Sequence, residues 1–140
     1  MEAFQAYGHA LVASSILVIF GIILGTASAV HKFSRGVESG ALPDPDYQNA
    51  SYRLSRAFQN LVENAGFYAL AVFAAILAGA SPFWVNIFAS AFLVFRLLVA
   101  LIHIKGWGKA NLGLRTFTFT AAATCNTILA LLAIHAVFWG

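Results

Sequence analysis

Four long apolar stretches separated by short polar segments give the chain its regular pattern. The stretches cover about residues 7–30, 57–78, 83–104 and 117–139. Each is close to the ~20 apolar residues that an α-helix needs to cross the hydrocarbon core of a bilayer. Their apolar residues run continuously and do not alternate with polar ones. The pattern therefore predicts membrane-spanning helices and not the strands of a membrane β-barrel.

The composition supports a membrane location for these helices. Hydrophobic residues make up 61% of the 140 positions and charged residues only 9%, whereas a soluble domain carries about 25% charged residues. Too little polar surface is available to cover a soluble globule. We therefore predict an all-α integral membrane protein with one domain over residues 1–140, folded as a bundle of four transmembrane helices.

Basic residues indicate the orientation of the bundle. The first connector contains the turn-forming cluster Pro43-Asp44-Pro45-Asp46, and the second is the short hairpin Gly79-Ala80-Ser81-Pro82. Seven of the eight Lys and Arg residues lie in or beside the first and third connectors: Lys32, Arg35, Arg53, Arg56, Lys105, Lys109 and Arg115. By the positive-inside rule these two connectors are cytoplasmic and both termini lie outside. We expect no nucleic-acid partner, because the basic residues form no continuous patch. We also expect a bacterial inner membrane, which a short chain without an obvious retention signal fits better than an endoplasmic reticulum.

One face of the second apolar stretch carries a polar stripe where the chain enters the membrane. Arg56, Asn60 and Glu63 are spaced i, i+4 and i+7, so they share one face of a helix. Charged and hydrogen-bonding groups on a lipid-soluble helix are costly unless they face a partner or a polar cavity. The stripe is therefore the leading candidate for a functional site.

Two further arginines and a histidine extend the candidate site. Arg96 lies well inside the third stretch, where a lone arginine costs at least ~2.5 kcal/mol, so a structural salt bridge to Glu63 is one explanation. His103 follows Arg96 at i+7 on the same face. Arg115 opens the fourth stretch, where a cation either snorkels to headgroups or helps to stabilise a thiolate. The surplus of positive charge predicts an anionic ligand. The histidines are too scattered to predict a metal site.

The motif Arg56-Ala57-x-x-Asn60-x-x-Glu63, at the start of the second of four spans, resembles the signature of the MAPEG family. These are the membrane-associated proteins in eicosanoid and glutathione metabolism. Two other stretches carry the resemblance: Phe92-Leu93-Val94-Phe95-Arg96 in the third span and Arg115-Thr116-Phe117-Thr118-Phe119-Thr120 at the start of the fourth. The resemblance covers most of the chain, the first connector least. It implies a left-handed four-helix bundle that forms a homotrimer, binds glutathione between subunits near the cytoplasmic face and takes a lipophilic substrate from the surrounding lipids.

The resemblance also implies roles for individual residues. Three residues of the second span would hold the backbone and the charged ends of glutathione: Arg56, Asn60 and Glu63. Arg115 matches the arginine that stabilises the glutathione thiolate, and Lys32 or Arg35 would supply a further cation to a glutathione carboxylate. We assign Arg96 as a structural charge within the membrane.

The chain departs from the family where tyrosines are expected. Val99 and His103 occupy third-span positions that hold tyrosine in several members, and Asn64 takes the place of another after the span-two glutamate. The family aromatic of the span-four motif is present as Phe119, which has no hydroxyl. The site therefore loses hydroxyl donors, and His103 is expected to substitute as a hydrogen-bond partner of glutathione.

Three functions remain open on the sequence. The first is a membrane glutathione-dependent transferase or peroxidase that activates the thiolate for attack on lipophilic electrophiles. The second is a catalytically silent glutathione- or lipid-binding protein of the same architecture. The third and least favoured is a small proton-coupled transporter that uses Glu63, because carboxylates within the membrane often belong to proton relays.

Overall fold

A computed structural model of the protein describes residues 2–38, 40–108 and 112–140. Over this part of the chain the regular structure is entirely helical. A short helix, α1 (Glu2–Gln5), precedes four long ones: α2 (Gly8–Ser34), α3 (Ala50–Leu77), α4 (Pro82–Lys105) and α5 (Leu114–Trp139). Lys109, one of the basic residues used to orient the bundle, lies outside the described residues.

The four long helices correspond to the four predicted spans. All are long and apolar enough to cross a membrane, which confirms the all-helical, four-span prediction. The largest difference is at α3, which begins at Ala50 and not near residue 57. Asn49 caps this end, because its side-chain oxygen accepts a hydrogen bond of 2.9 Å from the Ser51 N–H. The first turns of α3 are polar, so hydropathy alone could not locate them.

α3 and α4 form the centre of the bundle, since they pack against each other and each also packs against α2 and α5. Tyr68 of α3 and Phe92 of α4 lie face to face, with ring centroids 4.2 Å apart and 8° between the ring planes. The Tyr68 hydroxyl lies 3.2 Å from the hydroxyl of Ser14 on α2. One stack of buried side chains therefore joins three helices.

Gly25 allows α2 and α3 to approach each other closely. A Cβ atom at position 25 would lie 2.7 Å from the Phe58 ring, closer than side chains pack. Gly21, one turn earlier, leaves more room, because a Cβ atom there would lie 3.6 Å from the Leu61 side chain. Glycine inside a helix costs about 1 kcal/mol relative to alanine. The close contact with Phe58 gives a reason for glycine at position 25 that does not apply at position 21.

The two ends of the bundle differ in their polar groups. We call the end with residues 78–81 and both termini the hairpin end; here the Tyr7 hydroxyl donates a hydrogen bond of 2.6 Å to the Ala80 carbonyl oxygen. We call the end with residues 35–38, 40–49, 106–108 and 112–113 the connector end. The start of α3, the end of α4 and the start of α5 meet there, so the polar groups of three separate segments become neighbours.

Alanine substitutions at the two glycines test this packing. We expect Gly25→Ala to lower the midpoint of thermal unfolding in detergent by about 3–5 °C, as for overpacking that costs roughly 1 kcal/mol in a chain of this size. The matched control Gly21→Ala should leave the midpoint unchanged or raise it. Equal effects of the two substitutions would contradict the close contact at Gly25.

Candidate functional site

Arg96 is buried in the interior of α4, with 1% of its surface exposed. Its Nη1 donates a hydrogen bond of 2.7 Å to Oδ1 of Asn60 on α3. Its guanidinium carbon also lies 5.2 Å from the Phe92 ring centroid and 5.1 Å from that of Phe119, within the range of cation–π attraction. Among the described residues, its Nε and Nη2 have no hydrogen-bond partner. Asn60 and two aromatic rings therefore hold this cation.

The salt bridge between Arg96 and Glu63 that the sequence allowed is not formed: within the described chain, the hydrogen bond of the Arg96 guanidinium is to Asn60. The Glu63 side chain is exposed on the outer surface of α3. The reason is geometric, since residues three apart on a helix differ in direction by about 60°. Asn60 points into the bundle and Glu63 points away from it. Glu63 still acts on Arg96 through its charge.

The polar stripe on α3 therefore changes environment along its length. Arg56 is half-buried, and its Nη1 donates a hydrogen bond of 2.9 Å to Oε1 of Gln59. Asn60, one turn further, is buried against Arg96. Glu63, the last member, reaches the outer surface of the bundle. The stripe links the connector end, the core and the outward surface of α3.

His103 and Arg115 meet at the connector end through Tyr47, a residue of the first connector. His103 is 6% exposed, and its Nδ1 lies 3.3 Å from the Tyr47 hydroxyl. The guanidinium carbon of Arg115 lies 4.2 Å from the centroid of the Tyr47 ring. The positive charges of Arg115 and Arg56 both act on the His103 ring. The fold thus brings together three predicted site residues from α3, α4 and α5.

Sequence reasoning missed Tyr47. The sequence predicts a site that is poor in hydroxyl groups, and the fold supplies a hydroxyl from the connector that resembles the family least. The available signal was weak: an aromatic residue directly follows the turn-forming residues 43–46 in a connector long enough to fold back onto the bundle. Only the folded connector reveals that this residue reaches His103 and Arg115.

Arg53 ties this connector to the bundle. Its Nη1 donates hydrogen bonds to the carbonyl oxygens of Tyr47 (2.7 Å) and Gln48 (3.0 Å), and its Nε donates one to Ile104 (3.1 Å). Gly106 ends α4 with a φ of 69°. A Cβ atom at this glycine would lie 3.0 Å from Arg53 Cδ, so the glycine also makes room for the arginine. One side chain thereby links the connector to the ends of α3 and α4.

Lys32 and Arg35 make no described contact with this cluster. Lys32 Nζ donates a hydrogen bond of 3.0 Å to the Ala41 carbonyl oxygen within the first connector. Arg35 follows the end of α2 and is exposed. The contacts of Lys32 in the described chain fold the connector, and its predicted role towards glutathione stays a prediction.

An apolar groove of about 670 Å³ runs between α2 and α3. It extends along α3 from Phe58, on the face that packs against α2, to Ile76 near the hairpin end. Its lining is almost entirely apolar, apart from the hydroxyl groups of Ser14 and Tyr68. The groove therefore offers an apolar surface along α2 and α3, and none of the residues that line it belongs to the polar stripe.

Fold and site together define a class of protein: an integral membrane protein of four apolar helices with a cationic, hydrogen-bonding cluster at one end. In the described residues, no group of three or more His, Cys, Asp or Glu side chains could hold a metal ion.

The sequence profile of the MAPEG family matches residues 10–135, which include most of all four long helices. The chain belongs to the MAPEG family, membrane proteins of glutathione and eicosanoid metabolism. The match confirms the resemblance inferred from the motifs. No curated protein shows a significant match to the chain.

The contact between Arg96 and Asn60 gives a test of the buried charge. Asn60→Leu would leave Arg96 buried without its hydrogen bond, so we expect it to lower the free energy of unfolding by about 3 kcal/mol. In an Arg96→Met background, where the charge is absent, the same substitution should cost less than about 1 kcal/mol. The measurement is denaturation in mixed micelles for the four proteins of a double-mutant cycle. Additive effects would show that the two side chains are not coupled.

Proposed function

We propose that the protein is a membrane glutathione-dependent transferase or peroxidase, in which Arg115 stabilises the glutathione thiolate for attack on a lipophilic electrophile. The observation that carries the proposal is the convergence of Arg56, His103 and Arg115 at the connector end. Cations gathered beside an apolar bundle favour a ligand with net negative charge. Glutathione is such a ligand, with two carboxylates, one ammonium group and a thiol. Family membership supports the choice of glutathione.

The polar groups of the stripe fit the parts of glutathione. Arg56 would pair with a carboxylate, and Glu63 would accept the ammonium group. The Asn60 oxygen is engaged by Arg96, so the side-chain N–H groups of Asn60 would donate to a peptide carbonyl oxygen. His103 would contribute a further hydrogen bond beside the thiol. Lys32 is kept as a second cation for a carboxylate, by resemblance alone.

Glu63 supports a site at a subunit boundary. Its carboxylate is exposed on the outer surface of a membrane-spanning helix, where a charge is costly in lipid. The Arg96 guanidinium, on which the Glu63 charge acts, forms its hydrogen bond with Asn60 and not with Glu63. A homotrimer in which glutathione and a neighbouring subunit cover this surface would remove Glu63 from the lipid.

We expect a mass of three protomers by light scattering in mild detergent, and a monomer at all concentrations would contradict the trimer.

The chemistry needs little from the protein beyond a positioned cation. The thiol releases its proton to water, and the sulfur then forms a bond to the electrophilic carbon while the leaving group departs with its bonding electrons. In a peroxidase cycle, the thiolate attacks one peroxide oxygen and the O–O bond breaks, which leaves glutathione as a sulfenic acid and releases an alkoxide that takes a proton from water to become the alcohol. A second glutathione then converts the sulfenic acid to the disulfide and water. In both cases Arg115 would stabilise the negative sulfur.

The groove between α2 and α3 fits a lipophilic second substrate. Its volume of about 670 Å³ lies within the range of small-molecule sites. It runs from the level of Phe58 towards the hairpin end between two apolar helices, so a substrate dissolved in the bilayer would enter it without crossing water. We further propose that the connector end is cytoplasmic, that both termini lie outside, and that the membrane is a bacterial inner membrane. The single domain would span residues 1–140.

An ultraviolet difference titration of the purified protein with glutathione at neutral pH tests the proposal. We expect a saturable thiolate band that Arg115→Ala reduces by up to tenfold, because losing about 1.4 kcal/mol of thiolate stabilisation raises the thiol pKa by one unit. The affinity for glutathione should change much less, since the stripe residues remain. Arg115→Lys should retain part of the band because it keeps the charge.

Lys105→Ala is the matched control, since it removes an exposed cation from the end of α4 without altering the cluster. A full thiolate band in Arg115→Ala would eliminate the role of Arg115. Saturable binding without a band in the unmodified protein would favour a silent glutathione-binding protein. Absence of binding would leave the family assignment intact and remove glutathione from the function, and proton flux dependent on Glu63 would then be the next activity to measure.

A further inference from the structure

The Tyr47 side chain contacts all three helices that meet at the connector end. Its ring meets Tyr52 of α3 edge-on, with centroids 5.3 Å apart. It stacks on His103 of α4 with 27° between the ring planes, and its hydroxyl lies 3.3 Å from His103 Nδ1. On α5, the guanidinium carbon of Arg115 lies 4.2 Å from the ring centroid. A single connector residue therefore joins the ends of three helices.

Hydrogen bonds also hold the backbone of Tyr47. Its carbonyl oxygen accepts the 2.7 Å hydrogen bond from Arg53. The connector turns immediately beside it, where the Asn49 N–H donates a hydrogen bond of 3.0 Å to the Asp46 carbonyl oxygen. Arg53 also bonds the Ile104 carbonyl oxygen at the end of α4. The ring is thus fixed with respect to the helices, although it belongs to a connector.

A fixed ring under a guanidinium group constrains the direction of that group. The guanidinium group of arginine is planar and lies at the end of a long flexible side chain. Stacking on an aromatic ring fixes the plane of this group, while its N–H groups point outward from the edge of the plane. A cation stabilises developing negative charge best when it is already in place and does not have to reorganise. At Arg115, the contact with Tyr47 would therefore preserve the arrangement that a thiolate needs.

We propose that Tyr47 is a positioning residue, whose ring orients the Arg115 guanidinium towards the glutathione sulfur. The inference rests on the proposed function, because Arg115 must act on a thiolate for its orientation to matter. It assigns a catalytic contribution to the first connector, the segment that carries none of the motifs.

Substitutions at Tyr47 separate the ring from the hydroxyl. Tyr47→Phe keeps the ring under Arg115, and we expect its bound thiolate to stay within about twofold of the unmodified protein. Tyr47→Leu removes the aromatic face, and we expect about a fivefold smaller thiolate fraction and turnover number. Glutathione affinity should change less than twofold in both. The variants retain the other titratable and charged groups around Tyr47, so a change in the thiol pKa reports on Arg115.

Tyr7→Phe is the matched control, because it removes a buried tyrosine hydroxyl at the hairpin end, far from the cluster. It should leave the thiolate fraction unchanged. Thermal unfolding in detergent identifies any variant that fails to fold, and Tyr47→Met replaces Tyr47→Leu in that event. Rescue by the conservative Tyr47→Phe, together with a fall in turnover at constant affinity, distinguishes positioning from general stabilisation.

The possible results are distinct. A smaller thiolate fraction in Tyr47→Leu but not in Tyr47→Phe supports the proposal. An unchanged fraction in Tyr47→Leu overturns it, and so does an equal loss in both variants, which would assign the effect to the hydroxyl alone. If the unmodified protein binds glutathione without a thiolate band, or does not bind it, the proposed function fails and the role of Tyr47 falls with it.

Discussion

A buried cation within an apolar bundle is the constraint on which the arrangement of the helices depends. Arg96 is enclosed by α3, α4 and α5, where water cannot solvate its charge. Its hydrogen bond to Asn60 and its two aromatic contacts offset that cost. Phe92, one of those aromatic residues, stacks on Tyr68, whose hydroxyl pairs with Ser14 of α2. Side-chain contacts therefore connect all four long helices to one charged group. These contacts help to set the positions of the polar side chains at the connector end.

The burial of Arg96 also gives the three residues of the polar stripe on α3 different surroundings. Asn60 uses its oxygen to hold Arg96, so it links the core to whatever binds at the stripe. Arg56 lies at the connector end with His103 and Arg115. Positive charge is in excess over carboxylates there. Glu63 is directed out of the bundle. A ligand that engaged all three would touch the core, the connector end and the outer surface, as the proposed binding of glutathione at a subunit boundary requires.

The first connector adds a part of the site that no helix provides. Arg53 ties its carbonyl oxygens to the end of α4, and Gly106 leaves the space that this arginine occupies. As a result the hydroxyl of Tyr47 lies beside His103 and its ring lies beside Arg115. The spans have no tyrosine at the positions where the resemblance leads us to expect one, and the connector places a tyrosine beside the cluster.

The sequence by itself determined the four helices, because an apolar run of about twenty residues has few alternatives to a membrane helix. It also determined the family and the one-dimensional spacing of Arg56, Asn60 and Glu63, which a helix converts directly into a shared face. Only the tertiary structure decided that Arg96 pairs with Asn60, that α3 begins at its capped polar end, and that Tyr47 reaches the cluster. These outcomes depend on how the helices rotate against one another and how a connector folds back. The rotation of the helices and the path of the connector are not encoded in local periodicity, because both depend on contacts between residues far apart in the chain.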